Sequence, residues 1–488
     1  VGRASASQAE GRGFEPRLPL QTYSGIVFMA VLLVAILVVA FCIIATEKVN
    51  RINKAAVAMF AGVSCWLLYL GHGTSFVLSE HSVAFLSYIA EHTVGADSVK
   101  DFIAQDIFLK YMTFSADIVL FLLGTTGIVE VLNNNHCFDF IREWLVTRSP
   151  RRFLWMLSGL TFLLSANLDN LTTVCLMLSI MHSMISGDRL RMVFGSVIVL
   201  SASCGGAFTV IGDVSGLMLW ERGLVTPTVY AAQLVLPCFV ALLTVNLLVA
   251  RKLPDRLELV STAALPYRGD DRMLPRVQRM LLLLVGIGGL WFIPTFHRIT
   301  HLPPFVGALC VLSFLWVVNE LCNHSLLGSD KMVRKRHPMA LQYTNIQHIL
   351  FFIGITLLVG AVCETGAFRN LAEWSIGPAG RIYVGSIGLG ALSALVNNVS
   401  AMVSGIFLLD IPGEISTGGS EYAVNGNFWM LLSYCTAMGS ALLPIGTFAG
   451  FSLMRLENVT MGWYLRKMSG KVLAGWMAGL LCFYLLAL

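Results

Sequence analysis

Long apolar stretches separated by short polar ones dominate this chain. A helix needs about 20 predominantly apolar residues to cross the hydrocarbon core of a bilayer. Stretches of that kind lie near 24–46, 55–75, 115–132, 192–220, 229–250, 279–295, 303–319, 347–363, 428–454 and 470–488. Two further apolar segments, 153–185 and 383–409, carry polar residues at their centres: Ser165-Ala166-Asn167-Leu168-Asp169-Asn170 in one and Ser393-Ala394-Leu395-Val396-Asn397-Asn398 in the other. Neither suits a helix that faces lipid, where polar groups have no solvent to satisfy them.

Composition agrees. Of 488 residues, 56% are hydrophobic and 12% charged, with a mean hydropathy of +0.75, whereas an ordinary soluble domain is about 25% charged. This excludes disorder, a nucleic-acid module and nearly every soluble enzyme. The 11 cysteines are scattered, none closer than Cys310 and Cys322, which excludes C-x-x-C metal knuckles and redox pairs. Cys204, Cys363 and Cys435 read as small packing residues. Residues 1–22 form a polar N-terminal arm, disordered or processed, without the apolar core of a secretory signal.

Basic residues in short loops mark the inner face. Lys48, Arg51 and Lys54 do so first, followed by Arg142, Arg148, Arg151 and Arg152, and by Arg189 and Arg191. Loop 251–279, with Arg256, Arg268 and Arg272 among its seven cations, and loop 320–346, with Lys331, Arg334, Lys335 and Arg336, follow the same rule. The acidic loop 410–427 (Asp410, Glu414, Glu421) belongs outside. Threaded between these anchors, segments 153–185 and 383–409 must each leave on the side they entered. Both are expected to be re-entrant hairpins. The basic runs are read as topology determinants in solvated loops.

The chain also repeats itself. Phe121, Gly124, Thr126, Phe138, Glu143 and Trp144 recur 230 positions on, at Phe351, Gly354, Thr356, Phe368, Glu373 and Trp374; Ser165, Ala166 and Asn170 match Ser393, Ala394 and Asn398; Ile211, Gly212 and Gly216 match Ile445, Gly446 and Gly450. The two halves begin on opposite sides, so the repeats are inverted. Inverted repeats with broken helices place a substrate site between the halves. The architecture expected is therefore an all-α polytopic membrane protein of about 10 full spans plus two hairpins. An N-terminal pair of helices and an outside loop (23–114) precede repeat 1 (115–250, hairpin 153–185, broken helix 192–220). Linking helices and basic loops (251–346) lead to repeat 2 (347–488, hairpin 383–409, broken helix 428–454). Gly205, Gly206, Gly212, Gly439 and Gly446 are the expected helix breaks.

An intramembrane carboxylate is by default a functional-site residue. Asp169, at the first hairpin, and Asp213, at the first break, are the two candidates; Glu130 and Glu364 sit at span ends, where an interface-facing acid is an equal reading. Asn170, Thr172 and Thr173 follow Asp169, and Ser215 follows Asp213. Carboxylate, amide, hydroxyl and freed backbone carbonyl are hard oxygen ligands suited to an alkali cation, and a buried carboxyl can hold either a proton or that cation.

From about Glu47 onward the chain resembles the NhaD family of sodium/proton antiporters, within a superfamily that includes arsenite and dicarboxylate carriers. The resemblance is carried by Glu47-Lys48 with Asn53-Lys54, Phe121-Leu122-Leu123-Gly124 leading to Ile128-Val129-Glu130, and Ser165 through Thr173. It continues in Gly205-Gly206-Ala207, Ile211-Gly212-Asp213-Val214 and Leu219-Trp220. In the second half it rests on Ser393-Ala394, Val396, Asn398-Val399, Ile445-Gly446 and Trp463-Tyr464-Leu465. The family usually has Val-Asp-Asn in its second hairpin, where this chain has Asn397; Ser203 stands at a usual Asn, Val210 at Pro, Ser215-Gly216 at Thr-Thr and Thr447 at Ser. One titratable group is missing, which implies altered ion choice or stoichiometry.

The resemblance implies exchange of Na⁺ (or Li⁺) for H⁺ by alternating access in a multi-pass integral membrane protein, expected in a bacterial inner membrane. Asp169 and Asp213 would hold the cation. Asn170, Thr172, Thr173, Ser203, Ser393, Asn397 and Asn398 would be neutral ligands or helix caps. No cofactor beyond the transported Na⁺ and H⁺ and no nucleic acid is expected; the partners are membrane lipid, the cation, the proton and a second copy in a homodimer. The rivals are an anion or oxyanion carrier on the same scaffold, a degenerate non-transporting relative, and an intramembrane aspartyl protease. The protease lacks support, because its Gly-x-Gly-Asp string reads Val210-Ile211-Gly212-Asp213 here.

Overall fold

The computed structural model describes residues 20–92, 95, 97–254, 274–323, 339–369, 380–408 and 420–487. The polar arm to residue 19, Arg256, Arg268 and Arg272, the Lys331–Arg336 cluster, Glu373, Trp374, Asp410 and Glu414 lie outside the described residues. The helices that build the molecule are α1 (Leu20–Ala45), α2 (Lys54–Gly71), α3 (Leu109–Asn134), α4 (Pro150–Ser165), α5 (Asn170–Met184), α6 (Asp188–Ala207), α7 (Val214–Glu221) and α8 (Pro227–Ala250), then α9 (Arg276–Thr300), α10 (Pro304–Asn323), α11 (Met339–Cys363), α12 (Gly380–Val396), α13 (Asn398–Leu408), α14 (Asn427–Ser440), α15 (Phe448–Leu456) and α16 (Gly470–Ala487).

Among the described residues, 9 helices are long and apolar enough to cross a membrane, against the ten stretches read from hydropathy. The difference is segment 428–454, which divides into α14 and α15, each too short to span. Segment 192–220 likewise divides into α6 and α7, and only α6 is long enough. The span read at 115–132 belongs to a longer run, Ser98–Asn134, which contains a π-helical turn at Ile103–Phe108. The stretch before it, expected as loop, holds helices Gly73–Glu80 and Ser82–Glu91, which bury Phe76, Val77 and Phe85.

The two halves interlock. Within each half the helix before the polar turn packs on the longer piece of the broken helix, α4 on α6 and α12 on α14. Between halves the pairing crosses over: α2 packs on α11, α3 on α10, α5 on α15 and α7 on α13. Lipid is the natural partner of the apolar surface left on the outer helices, where Phe28, Leu284, Trp291, Phe314 and Leu485 are exposed. At the centre the opposite holds, and every residue of Phe194–Ala207 and of Phe428–Ser440 is buried. This is a multi-pass integral membrane protein.

A second set of bonds ties the halves at their ends. Buried Glu457, just after α15, accepts from Arg191 Nε at 2.9 Å and lies 2.8 Å from His182 Nδ1. Asn425 N donates to Leu224 O at 2.8 Å, and Thr226 N donates to Asn425 Oδ1 at 2.6 Å.

The α2–α11 crossing depends on backbone contact, as small residues permit in membranes. A Cβ on Gly354 would lie 2.5 Å from Met59 N and 2.6 Å from the Ala58 carbonyl carbon. Backbone cannot swing aside, so Gly354→Val is expected to cost at least about 1–3 kcal/mol by overpacking. A melting midpoint in detergent equal to the parent's would refute that.

Candidate functional site

The polar centres of the two apolar segments become turns between helices. In the first, α4 ends at Ser165, whose Oγ lies 2.5 Å from Asn170 Oδ1 and 2.9 Å from Ala202 O. Thr209 Oγ1 donates to Ala166 O at 2.7 Å and accepts from Gly212 N at 3.0 Å, pinning the break between α6 and α7 to this turn. In the second, Ser393 Oγ lies 2.6 Å from Gly390 O and 2.9 Å from Thr436 O. Asn398 N donates to Gly446 O at 3.2 Å, pinning the break between α14 and α15.

Four helices therefore begin at the middle of the molecule: α5, α7, α13 and α15. Their first residues, Asn170 and Leu171, Val214, Asn398 and Val399, and Phe448 and Ala449, line one cavity of about 40 Å³ together with Ser203, Asp213, His348, Asn397, Ala437, Ser440 and Thr447. That exceeds the roughly 10–15 Å³ needed to admit a water-sized particle. Asp213 is the one carboxylate among those lining residues. It is buried; its Oδ2 accepts from Asn398 Nδ2 at 2.6 Å and from Ser215 Oγ. The Asn398 bond joins the two repeats. Asn398 Oδ1 and Asn397 Nδ2 are buried without a hydrogen-bond partner, so an amide oxygen remains free to meet a cation.

The structure thus gathers Asn170, Ser203, Asp213, Asn397 and Asn398 around one space. It leaves Asp169, Thr172, Thr173 and Ser393 beyond the cavity lining. Asp169 caps α5, its Oδ2 accepting from Thr172 N at 3.1 Å, while its Oδ1 is buried without a partner. It stands close enough to Asp213 for the two charges to interact. Thr173 Oγ1 is buried and unpartnered, and Ser393 fastens α12 to α14. Glu364 is buried just past the end of α11, bonded to Tyr111 at 2.6 Å and to His81 at 2.5 Å.

The helix breaks correct the reading of three glycines. The chain unwinds after Ala207 and after Ser440, so Gly212 and Gly446 lie in the breaks, but Gly205, Gly206 and Gly439 sit in the last turns of α6 and α14. Their use is closeness: a Cβ on Gly206 would collide with the Asn170 amide and lie 2.7 Å from Gly212 O, and one on Gly439 would strike the Gly390 backbone. Asn397 takes the left-handed conformation at φ 90°, which Asn tolerates better than most residues.

Ser440 and His348 were not singled out from sequence. Ser440 could have been found, because it is the counterpart of Gly206 at the 234-residue shift that aligns Gly212 with Gly446. His348 carries no such signal. Lys54 corrects a different expectation. It is not a solvated topology residue but 5% exposed, held against the phenyl rings of Phe351, Phe448 and Phe451.

Aligned at the same shifts, Asp169 corresponds to Asn397 and Asp213 to Thr447. Thr447 caps α15 through Gly450 N at 2.8 Å, as Asp169 caps α5. The frame is two-fold; the charge is not, because both acids belong to the first repeat.

Interlocked inverted repeats, each with a broken helix, around a small polar cavity define a secondary transporter. A model of the citrate transporter family (CitMHS) matches residues 29–409, and the chain belongs to that family. It is 30% identical over 446 residues to sodium/proton antiporter 1 of Arabidopsis thaliana, covering 88% of this chain and 73% of the relative. It is 28% identical to sodium/proton antiporter 2 of the same plant, covering 91% and 96%. To the Na⁺/H⁺ antiporter NhaD of Vibrio cholerae it is 25% identical, covering 89% and 86%. These relatives agree with the family that the sequence motifs resemble.

Proposed function

We propose that this protein exchanges Na⁺ (or Li⁺) for H⁺ by alternating access, with Asp213 and Asp169 as the exchanging carboxylates. The observation that carries the reading is Asp213, a single carboxylate on a cavity of ionic size, surrounded by neutral amide and hydroxyl groups. Na⁺ and H⁺ compete for that carboxylate: a proton neutralises it, a cation replaces the proton, and the site is never left as a bare charge in a desolvated place. Asn170, Ser203, Asn397 and Asn398 serve as neutral ligands. Thr172, whose N–H meets Asp169, and Ser393 hold the helix ends that present them, and Thr173 adds a free hydroxyl beside them. The polar turns act as re-entrant hairpins whose tips meet between the repeats. Names of the relatives support Na⁺ and H⁺ as the exchanged pair.

One observation favours an anion instead. Four helix N-termini face the cavity, and each is the positive end of a helix dipole; the matched family is described as citrate transporters. Asp213 opposes this, because its own charge already occupies that field and would repel a carboxylate substrate. Purified protein in liposomes under an imposed pH gradient separates the two. Na⁺ or Li⁺ is expected to dissipate the gradient, with K⁺ in the same panel, while radiolabelled citrate, dicarboxylate and arsenite are not accumulated. Citrate uptake with no response to any of the three cations would overturn the proposal.

A further inference from the structure

One wall of the cavity comes from outside the elements that build the rest of it. Among the described residues, the other lining side chains belong to the two polar turns, the helices that leave them or the two broken helices. His348 belongs to α11, which is long and apolar enough to span the membrane by itself. The imidazole is partly buried. It lies on the ring of Phe448, another lining residue, with centroids 4.4 Å apart and planes inclined by 37°. The exchange described above makes no use of it.

That wall is held in place. Phe448 meets Phe351, one turn further along α11, edge to face at 5.4 Å, and the Lys54 ammonium stands 3.6 Å from its ring centre. α11 itself packs along α2 and against α13. Its Gly354 touches α2 so closely that a Cβ there would lie 2.5 Å from Met59 N, so the helix has no room to retreat. The groups that offer oxygen, Asn170, Ser203, Asp213 and Asn398, come from the other elements. A cation stripped of its water must reach those oxygens within the space that His348 leaves.

Na⁺ and K⁺ carry the same charge and differ in size. Asp213 attracts both, and neutral oxygens accept both, so charge alone does not choose between them. A wall that does not yield chooses by size, because packed rings and backbone resist overfilling. We propose that His348 is the specificity-determining residue of the cation site, its imidazole closing the cavity to K⁺ while Na⁺ (or Li⁺) still reaches Asp213. This rests on the antiport reading above. In a fitted pocket a mismatch of one methylene is worth about 10–200-fold, and the lower end of that range is expected for K⁺.

The test is the ratio of half-saturating K⁺ to half-saturating Na⁺ for dissipating a pH gradient in proteoliposomes. The parent is expected to need at least about ten times more K⁺ than Na⁺. His348→Ala removes the ring and should bring the two concentrations close together by strengthening the response to K⁺. His348→Gln fills nearly the same volume without a ring or a titratable group, and should keep the parent's ratio. A purely structural role would lower stability, or turnover with both cations, and leave the ratio alone. His348→Ala with the parent's ratio overturns the proposal, as does His348→Ala that melts like the parent but exchanges no cation. His348→Gln that admits K⁺ as readily as His348→Ala overturns it too, since filling the space would then not be what selects. Should His348→Ala not fold, His348→Ser carries the same expectations and the same refutations. A parent that takes K⁺ as readily as Na⁺ sinks this proposal alone; a parent that responds to none of Na⁺, Li⁺ and K⁺ defeats the antiport reading, and this one with it.

Discussion

Asp213→Asn is expected to leave the fold standing and to reduce Na⁺-dependent proton movement to that of empty vesicles. The fold survives because an amide of the same shape can keep partners for Ser215 Oγ and Asn398 Nδ2, the two groups that now bond to the carboxylate. The activity does not, because the amide carries neither the charge that holds a cation nor the proton that is exchanged for it. A carboxylate about 4 Å from a cation contributes about 4 kcal/mol at an effective dielectric constant of about 20. At about 1.4 kcal/mol per factor of ten, Na⁺ affinity should fall about a thousandfold. The measurement is Na⁺-driven dissipation of a pH gradient in proteoliposomes, with Na⁺-induced thermal stabilisation as the binding readout. Retention of both would place the exchanged ion elsewhere and empty the cavity of its role.

The parts of this molecule that were legible in sequence are those set by local composition or by repetition. Lipid demands long apolar stretches, so the outer helices show in hydropathy. The polar hexapeptides at 165–170 and 393–398 mark the turns because no lipid-facing helix tolerates them, and the recurrence of Ile211-Gly212 at Ile445-Gly446 marks both breaks. What was not legible depends on how the halves cross. Asp213 and Asn398 are 185 positions apart, and they meet only because α7 of one repeat packs on α13 of the other. The same crossing puts Phe448 beside Lys54, which by charge alone reads as one more basic residue at a membrane face. Glycine misled in a particular way: Gly205, Gly206 and Gly439 serve close helix approach, and the unwinding starts a few residues later, where the chain turns to meet the hairpin tips. Asp169, the clearest acid in the sequence, stands at the cap of α5 and not on the cavity wall.

That placement makes Asp169 the sharper test. A carboxylate at an N-cap has an ordinary structural use, accepting from a free N–H at the start of the helix, and at Asp169 that acceptor role is filled by Oδ2 toward Thr172 N. If this were its whole purpose, asparagine would serve, since Asn caps about as well as Asp, whereas alanine would cost about 1 kcal/mol. The second repeat holds the control within the same chain: at the corresponding turn the residue is Asn397, whose Oδ1 accepts from Val399 N at 3.1 Å, and the frame there closes without a charge. A turn of this design does not need an acid, so a helix-cap role alone leaves the charge at 169 unused. Its unpartnered Oδ1 and its electrostatic reach to Asp213 support the proposal that it is a second exchangeable charge. Asp169→Asn is accordingly expected to melt within about 0.5 kcal/mol of the parent, the range of a substitution that keeps its local bonds, and to abolish exchange. Asp169→Ala should be both inactive and less stable by the cost of the lost cap. In everted vesicles the readout is recovery of a quenched pH dye on addition of Na⁺. Undiminished recovery with Asp169→Asn would reduce Asp169 to a helix cap and leave Asp213 as the only exchanging carboxylate.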